Sequence, residues 1–96
     1  MMETRAYDDT PHQADPLRRT RLRWRARRGL LENDLILQRF LDQHEHDLSD
    51  ADVAGLTLLL DLPDTDLFDL LLEKSAPQGA LAIPDVERVL AALRAA

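Results

Sequence analysis

The spacing of apolar residues along the chain predicts helices throughout. Leucine, isoleucine, valine and phenylalanine recur at intervals of three and four residues, which is the spacing of one buried helical face. Runs of β-branched and aromatic residues in strict alternation, typical of strands, are missing from the sequence. The pattern therefore predicts an all-α protein, a small five-helix bundle in a single domain.

The first predicted helix runs from about Pro16 to Arg28. Asp15 before Pro16 is typical of an N-cap followed by proline at the first helical position. Gly29 is placed to end this helix in a left-handed conformation. The helix has two short apolar rows, Leu17 with Trp24 and Leu22 with Ala26. We expect it to be peripheral and docked against the second helix chiefly through Trp24.

Four more helices follow with recognisable boundaries. The second should begin within residues 30–33 and end near residue 46. Ser49, with Asp52 three residues later, predicts a capping box and a third helix over about residues 50–61. Pro63 should end that helix, Asp64 or Thr65 should cap a fourth, and a fifth should open at residue 84 after a loop over residues 74–79.

Length and composition predict one helical domain at residues 15–96 behind a mobile extension at residues 1–14, which is polar and aperiodic. The sequence shows no secretory signal and no apolar stretch long enough to span a bilayer. It contains no cysteine, which fits a reducing compartment. We therefore expect a soluble cytoplasmic protein without membrane insertion.

Charge is unevenly distributed along the chain. Residues 1–28 hold eight arginines and four acidic residues, whereas residues 29–96 hold four basic and fourteen acidic residues. This asymmetry suggests a partner that meets one end of the molecule, with binding that weakens as salt rises. The acidic body argues against nucleic acid as that partner.

Residue types needed for catalysis or for cofactor binding are sparse. The three glycines lie too far apart for a phosphate-binding loop, so we expect no tightly bound cofactor. His44 and His46, with acidic neighbours, point in different directions on a helix, so we expect no metal site. No nucleophile has a base beside it, so we expect no catalytic residues and no enzymatic activity.

The stretch RLRWRARRGLLEND, residues 21–34, is the candidate binding site. Glycine lets a partner's backbone approach closely, an exposed Arg28 could offer a planar fork to a carboxylate or phosphate, and Glu32 could accept from the partner or orient Arg28. A helix that simply ends at Gly29 explains the stretch almost as well. The residues alone leave both interpretations open.

This stretch resembles the Arg-Gly-x-x-Glu signature of the succinate dehydrogenase assembly factor 2 family, also called the flavinator family. The matching residues are Arg28, Gly29 and Glu32 in the signature, Arg21 and Trp24 upstream, and Asp34 after it. A second block, LLLDLPDTDLFDLLL at residues 58–72, is similar to the family's acidic segment, although Pro63 and Thr65 depart from it. With LSDAD at residues 48–52, the resemblance covers about residues 17–76.

The resemblance implies a five-helix assembly factor that binds the flavoprotein subunit of succinate dehydrogenase, or of fumarate reductase in some bacteria. Such a chaperone-like protein promotes covalent attachment of FAD to a histidine of that subunit, so the FAD belongs to the partner. The six matching residues are then the expected partner-binding residues. An antitoxin-like or regulatory protein-binding module is the alternative, and an RNA-binding module is a weaker one.

Overall fold

The computed structural model describes residues 11–96 and contains five α-helices joined by short connections. They are α1 (Pro16–Arg25), α2 (Leu31–His44), α3 (Asp50–Leu60), α4 (Asp64–Leu71) and α5 (Pro84–Ala95). Two short 3-10 helices, His12–Ala14 and Gly79–Leu81, precede α1 and α5. This part of the chain has no strand, and the predicted all-α fold with five helices is confirmed.

Within residues 11–96 the core is built mainly from leucine, and it encloses the aromatic side chain of Phe40 from α2. α3 and α5 lie close together at Gly55, where an added Cβ would lie 2.5 Å from the carbonyl oxygen of Asp85. No helix within residues 11–96 is both long and apolar enough to cross a membrane.

The predicted start of α3 is confirmed in detail. The Ser49 hydroxyl accepts a hydrogen bond from the Asp52 backbone N–H at 3.1 Å. The Asp52 carboxylate accepts from the Ser49 backbone N–H at 3.1 Å, which completes the capping box. Pro84 is the first residue of α5, also as predicted.

The predicted caps of α4 were wrong. Pro63 occupies the N-cap position, no side chain caps the helix, and Asp64 is its first helical residue. The Asp64 carboxylate is instead bonded to Arg28 and to the Leu30 backbone N–H. At its other end α4 closes with Glu73 in the left-handed region at φ 62°, so a residue other than glycine holds that position.

The predicted end and docking of α1 were also wrong. α1 ends at Arg25, and Gly29 does not have a positive φ. The Arg28 backbone N–H donates to the Asp34 side chain at 2.9 Å rather than to a carbonyl of α1, so the helix stops earlier. Trp24 is 72% exposed, and α1 docks through Leu22 and Ala26, the row that we expected to be secondary.

The N-terminal extension falls only partly within the described residues. Residues 1–10 lie outside the described residues, so their predicted mobility stays a prediction. Residues 12–14, which we also expected to be mobile, form a 3-10 helix in which His12 is buried. The His12 backbone N–H donates to Asp50 at 2.7 Å, and Gln13 donates to the carbonyls of Glu45 and Leu48, both at 3.0 Å.

Candidate partner-binding site

Arg28 lies inside the fold, contrary to the expectation of an exposed fork. Its side chain is 11% exposed. Its guanidinium donates to the Asp64 carboxylate at 2.7 Å, to the Leu60 carbonyl at 2.8 Å and to the Leu62 carbonyl at 2.5 Å. Arg28 therefore ties the α1–α2 connection to the α3–α4 connection, and its planar donor set is used within the chain.

Asp64 holds the start of α2 from the opposite side. One carboxylate oxygen accepts from Arg28, and the other accepts from the Leu30 backbone N–H at 3.0 Å. Asn33 donates to the Asp64 backbone carbonyl at 2.9 Å. The hydrogen bond from the Arg28 side chain, with those from Leu30 and Asn33, lowers the pKa of the Asp64 carboxyl below its usual value.

Asp34 fixes the turn from within α2. Its carboxylate accepts from the Arg28 backbone N–H at 2.9 Å and from the Arg27 Nε at 3.0 Å. The backbone hydrogen bond from Arg28, assisted by Arg27, lowers the pKa of the Asp34 carboxyl. The turn over residues 26–30 is thus locked by two carboxylates from different helices.

Around this locked turn, several large or charged side chains point to solvent. We call this exposed group the α1–α2 surface, and its residues are Trp24, Gly29, Leu31, Glu32 and Leu35. Leu31, 65% exposed, and Leu35 are one helical turn apart. Four of the five exposed large hydrophobic residues in the described chain belong to α1 or α2. Exposed apolar side chains that cluster in this way are typical of protein–protein interaction sites.

Nothing within the described residues requires glycine at position 29. Its φ is negative, and an added Cβ would meet only the Asp64 carboxylate, at an ordinary 3.6 Å. Glu32 is exposed and makes no hydrogen bond or ion pair within residues 11–96. The fold therefore leaves both residues available to a partner.

Arg21 is not brought into this group. It lines a separate cavity of about 290 Å³ between α1 and α3, together with His12, Leu22 and Val53. Burial lowers the pKa of His12 there, against the raising effect of Asp50. Of the six predicted residues, Trp24, Gly29 and Glu32 are exposed near the turn, Arg28 and Asp34 hold it in place, and Arg21 lies apart.

Most of the arginine-rich stretch is paired within the chain. Arg23 is bonded to Asp42 and, at 3.0 Å, to Glu45 of the α2 end. Arg25 pairs with Asp61 at 2.6 Å. The opposite charges of the two halves of the sequence therefore meet across helix contacts, and the positive end expected from the sequence is partly neutralised. Within the described residues no group of acidic or histidine side chains is arranged to hold a metal ion.

Two of the residues that hold this turn were not identified from the sequence. Asp64 was quoted within the acidic block but interpreted as a helix cap, and Asn33 was treated as part of a helix start. The acidic block at residues 58–72 could have indicated Asp64. It is a second family-like segment, and its carboxylates are candidate partners for the arginine of the first. The contact spans 36 residues, which helical periodicity cannot detect.

Comparison with known proteins gives consistent matches. A family model described as the flavinator of succinate dehydrogenase matches residues 20–96. The chain is 62% identical over 84 residues to the FAD assembly factor SdhE of Ralstonia nicotianae, covering 88% of each protein. It is 36% identical over 66 residues to the FAD assembly factor SdhE of Coxiella burnetii, covering 69% of this chain and 80% of that protein.

A eukaryotic relative is also similar. The chain is 36% identical over 63 residues to the mitochondrial succinate dehydrogenase assembly factor 2 of Dictyostelium discoideum, covering 66% of this chain and 45% of that protein. No solved structure matches the chain significantly. The family match extends through α5, beyond the segment that carried the sequence resemblance.

Proposed function

The chain belongs to the family of flavinators of succinate dehydrogenase, and from that premise we propose that it is an assembly factor. It binds the flavoprotein subunit of succinate dehydrogenase and promotes covalent attachment of FAD to that subunit. The observation that supports this most directly is the α1–α2 surface, an exposed apolar and acidic group on a turn held rigid by Arg28, Asp34 and Asp64.

The proposed binding site consists of the six residues expected from the sequence, in two roles. Trp24, Gly29 and Glu32 contact the partner at the α1–α2 surface, and Arg21, on the same helix as Trp24, contacts it outside that surface. Arg28 and Asp34 position the turn that presents them. A rigid turn loses little conformational entropy on binding, so its contacts contribute more fully to affinity.

The mechanism that fits such a surface is a shift in the conformational population of the flavoprotein. If the chain binds the conformer in which the flavin meets its histidine more tightly than other conformers, that conformer becomes more populated. The FAD is held by the partner, and the chain contributes binding energy rather than a catalytic group or a cofactor. We place this reaction in the cytoplasm.

Covalent flavin fluorescence of the denatured flavoprotein subunit tests this function in cells that carry variants of the chain. Deletion of the chain should reduce the covalent flavin, and Glu32→Ala and Gly29→Leu should reduce it while the variants stay folded. Glu87→Ala, which removes an exposed glutamate from α5, is the matched control and should leave flavinylation unchanged.

Three results would contradict the proposed assembly-factor function. Full flavinylation without the chain would refute the function. A pull-down from native lysate that returns a membrane-associated toxin would favour the antitoxin-like alternative, and one that returns RNA would favour the third alternative.

A further inference from the structure

A groove beside Trp24 has features of a binding pocket that the six predicted residues do not account for. It has a volume of about 280 Å³ and lies between α1 and the outer side of α2. Its lining residues are Thr20, Arg23, Trp24, Arg27, Gln38 and Glu45. Gln38 follows Leu35 by three residues and Leu31 by seven, so the groove continues the exposed apolar row of the α1–α2 surface.

The groove contains hydrogen-bond donors that the chain does not use. The side-chain Nε2 of Gln38 is buried and has no hydrogen-bond partner. Arg27 uses its Nε for Asp34, and its terminal nitrogens make no hydrogen bond within residues 11–96. A buried donor without an acceptor costs stability, so its presence in a native fold calls for an explanation such as a ligand.

Two other polar groups of the groove are engaged within the chain. One oxygen of the Glu45 carboxylate accepts from Arg23 at 3.0 Å, and the Thr20 hydroxyl donates to the Pro16 carbonyl at 3.4 Å. Unused donors, one of them cationic, beside an exposed indole define the chemistry of the missing group. It should carry acceptor oxygens, a negative charge and an apolar stem.

We propose that this groove receives an aspartate or glutamate side chain of the flavoprotein subunit. The carboxylate accepts from Gln38 Nε2 and from the terminal nitrogens of Arg27, and its methylene stem packs against the indole of Trp24. Asp34 assists because its bond to Arg27 Nε holds the guanidinium at the rim of the groove. The identity of the partner in this proposal rests on the proposed function. The choice of a carboxylate as the bound group rests on the unused donors of the groove.

The test measures the affinity of the full chain for the purified flavoprotein subunit. Gln38→Glu places a carboxylate where the partner's carboxylate binds, so the affinity should fall by at least about tenfold. Gln43→Glu makes the same change on an exposed position of α2 and should leave the affinity within about twofold. Gln38→Met keeps the size of the side chain and removes the donor, so the affinity should fall by about tenfold.

The melting temperature of the free chain separates this role from a structural one. Removing an unsatisfied buried donor does not cost stability, so Gln38→Met should melt at or above the temperature of the unaltered chain. A structural role predicts the opposite pattern, a lower melting temperature with unchanged affinity, and would overturn the proposal.

Tighter binding by Gln38→Glu would mean that the partner supplies a donor, and would also overturn it. If every Gln38 variant binds the flavoprotein subunit with the same affinity as the unaltered chain, the proposal about the groove is refuted and the proposed function is not affected. No binding of the unaltered chain to the flavoprotein subunit refutes the proposed function as well.

Discussion

The Nε of Arg28 lies 2.7 Å from the carboxylate of Asp64, a contact that joins residues 36 positions apart. The same guanidinium reaches the carbonyls of Leu60 and Leu62, so one side chain satisfies three acceptors in the α3–α4 connection. The arginine of the family-like signature is therefore buried and holds the turn that carries the α1–α2 surface. The glycine and the glutamate beside it remain at the surface.

Arg28→Ala should destabilise the fold. The substitution removes the cationic partner of Asp64 and leaves the Leu60 and Leu62 carbonyls without the donor that Arg28 supplies, and we expect the free energy of unfolding to fall by about 2–4 kcal/mol. Urea denaturation measures this change. Arg28→Lys should recover only part of the loss, because an ammonium group cannot reach three acceptors in one plane.

Arg39→Ala is the matched control for the arginine. Arg39 is exposed on α2 and makes no hydrogen bond or ion pair within residues 11–96, so its removal should change the free energy of unfolding by less than about 0.5 kcal/mol. Equal stability of the Arg28 and Arg39 variants would contradict the structural role of Arg28.

Acid should weaken the fold through Asp34 and Asp64. Both carboxyl groups have a lower pKa in the folded chain than in the unfolded chain, where it is about 3.9. Their stabilisation is therefore fully present above about pH 4–5 and is lost as the pH falls through the folded values. Unfolding in urea between about pH 7 and pH 2 measures the loss.

Substitutions to asparagine test whether Asp34 and Asp64 cause the loss of stability in acid. Asp34→Asn and Asp64→Asn should each lower stability at neutral pH and flatten its decline in acid. Asp66→Asn alters an exposed carboxylate on the same helix as Asp64 and should retain the original profile. An unchanged profile in both test variants would show that other carboxylates govern acid unfolding.

Local signals predicted the features of the fold that depend on neighbouring residues. The Ser49 capping box, the start of α5 at Pro84 and the helical class all follow from residues within a few positions of each other. The end of α1 does not, because it is set by Asp34 of the next helix, which takes the Arg28 backbone N–H. The buried face of α1 was also predicted wrongly, because the choice between its two apolar rows depends on how the helix packs against the rest of the fold.

The candidate site shows the same division between local and long-range information. The sequence identified the stretch that forms the turn, with Gly29 and Glu32 exposed on it. It could not show that Arg28 is buried, since that depends on carbonyls of a connection some thirty residues away. The two short apolar rows of α1 were of similar length, and only the helix packing decided that Trp24 faces solvent.

Gly55→Ala should destabilise the α3–α5 contact. The added methyl would lie 2.5 Å from the Asp85 carbonyl oxygen, and a backbone atom cannot move aside at little cost. We expect a net loss of about 1–3 kcal/mol despite the better helix propensity of alanine. Thermal unfolding measures it, with Gly29→Ala as the control, because a methyl there makes an ordinary contact at 3.6 Å and should be nearly neutral.

Binding to the flavoprotein should depend only weakly on salt. The sequence favoured a marked dependence, but Arg23, Arg25 and Arg28 have carboxylate partners within the chain, and Arg27, bonded to Asp34 through its Nε, is the arginine that we propose meets the partner. Fewer arginine charges are therefore left for the partner, and between about 50 and 500 mM salt the affinity should fall by less than about tenfold. Titration calorimetry across this range would show a steeper fall if the arginines separated from their partners on binding.

Trp24→Ala should separate binding from folding. The indole is 72% exposed in the free chain, so its removal should leave the melting temperature nearly unchanged. Buried against a partner, a tryptophan of this kind contributes at least about 2 kcal/mol, so the affinity for the flavoprotein subunit should fall about thirtyfold or more. Leu72→Ala removes an exposed apolar side chain at the end of α4, outside the α1–α2 surface, and should bind normally. If Trp24→Ala bound as well as the unaltered chain, Trp24 would have no role in recognition, and neither the proposed contact nor the groove beside it could include the indole.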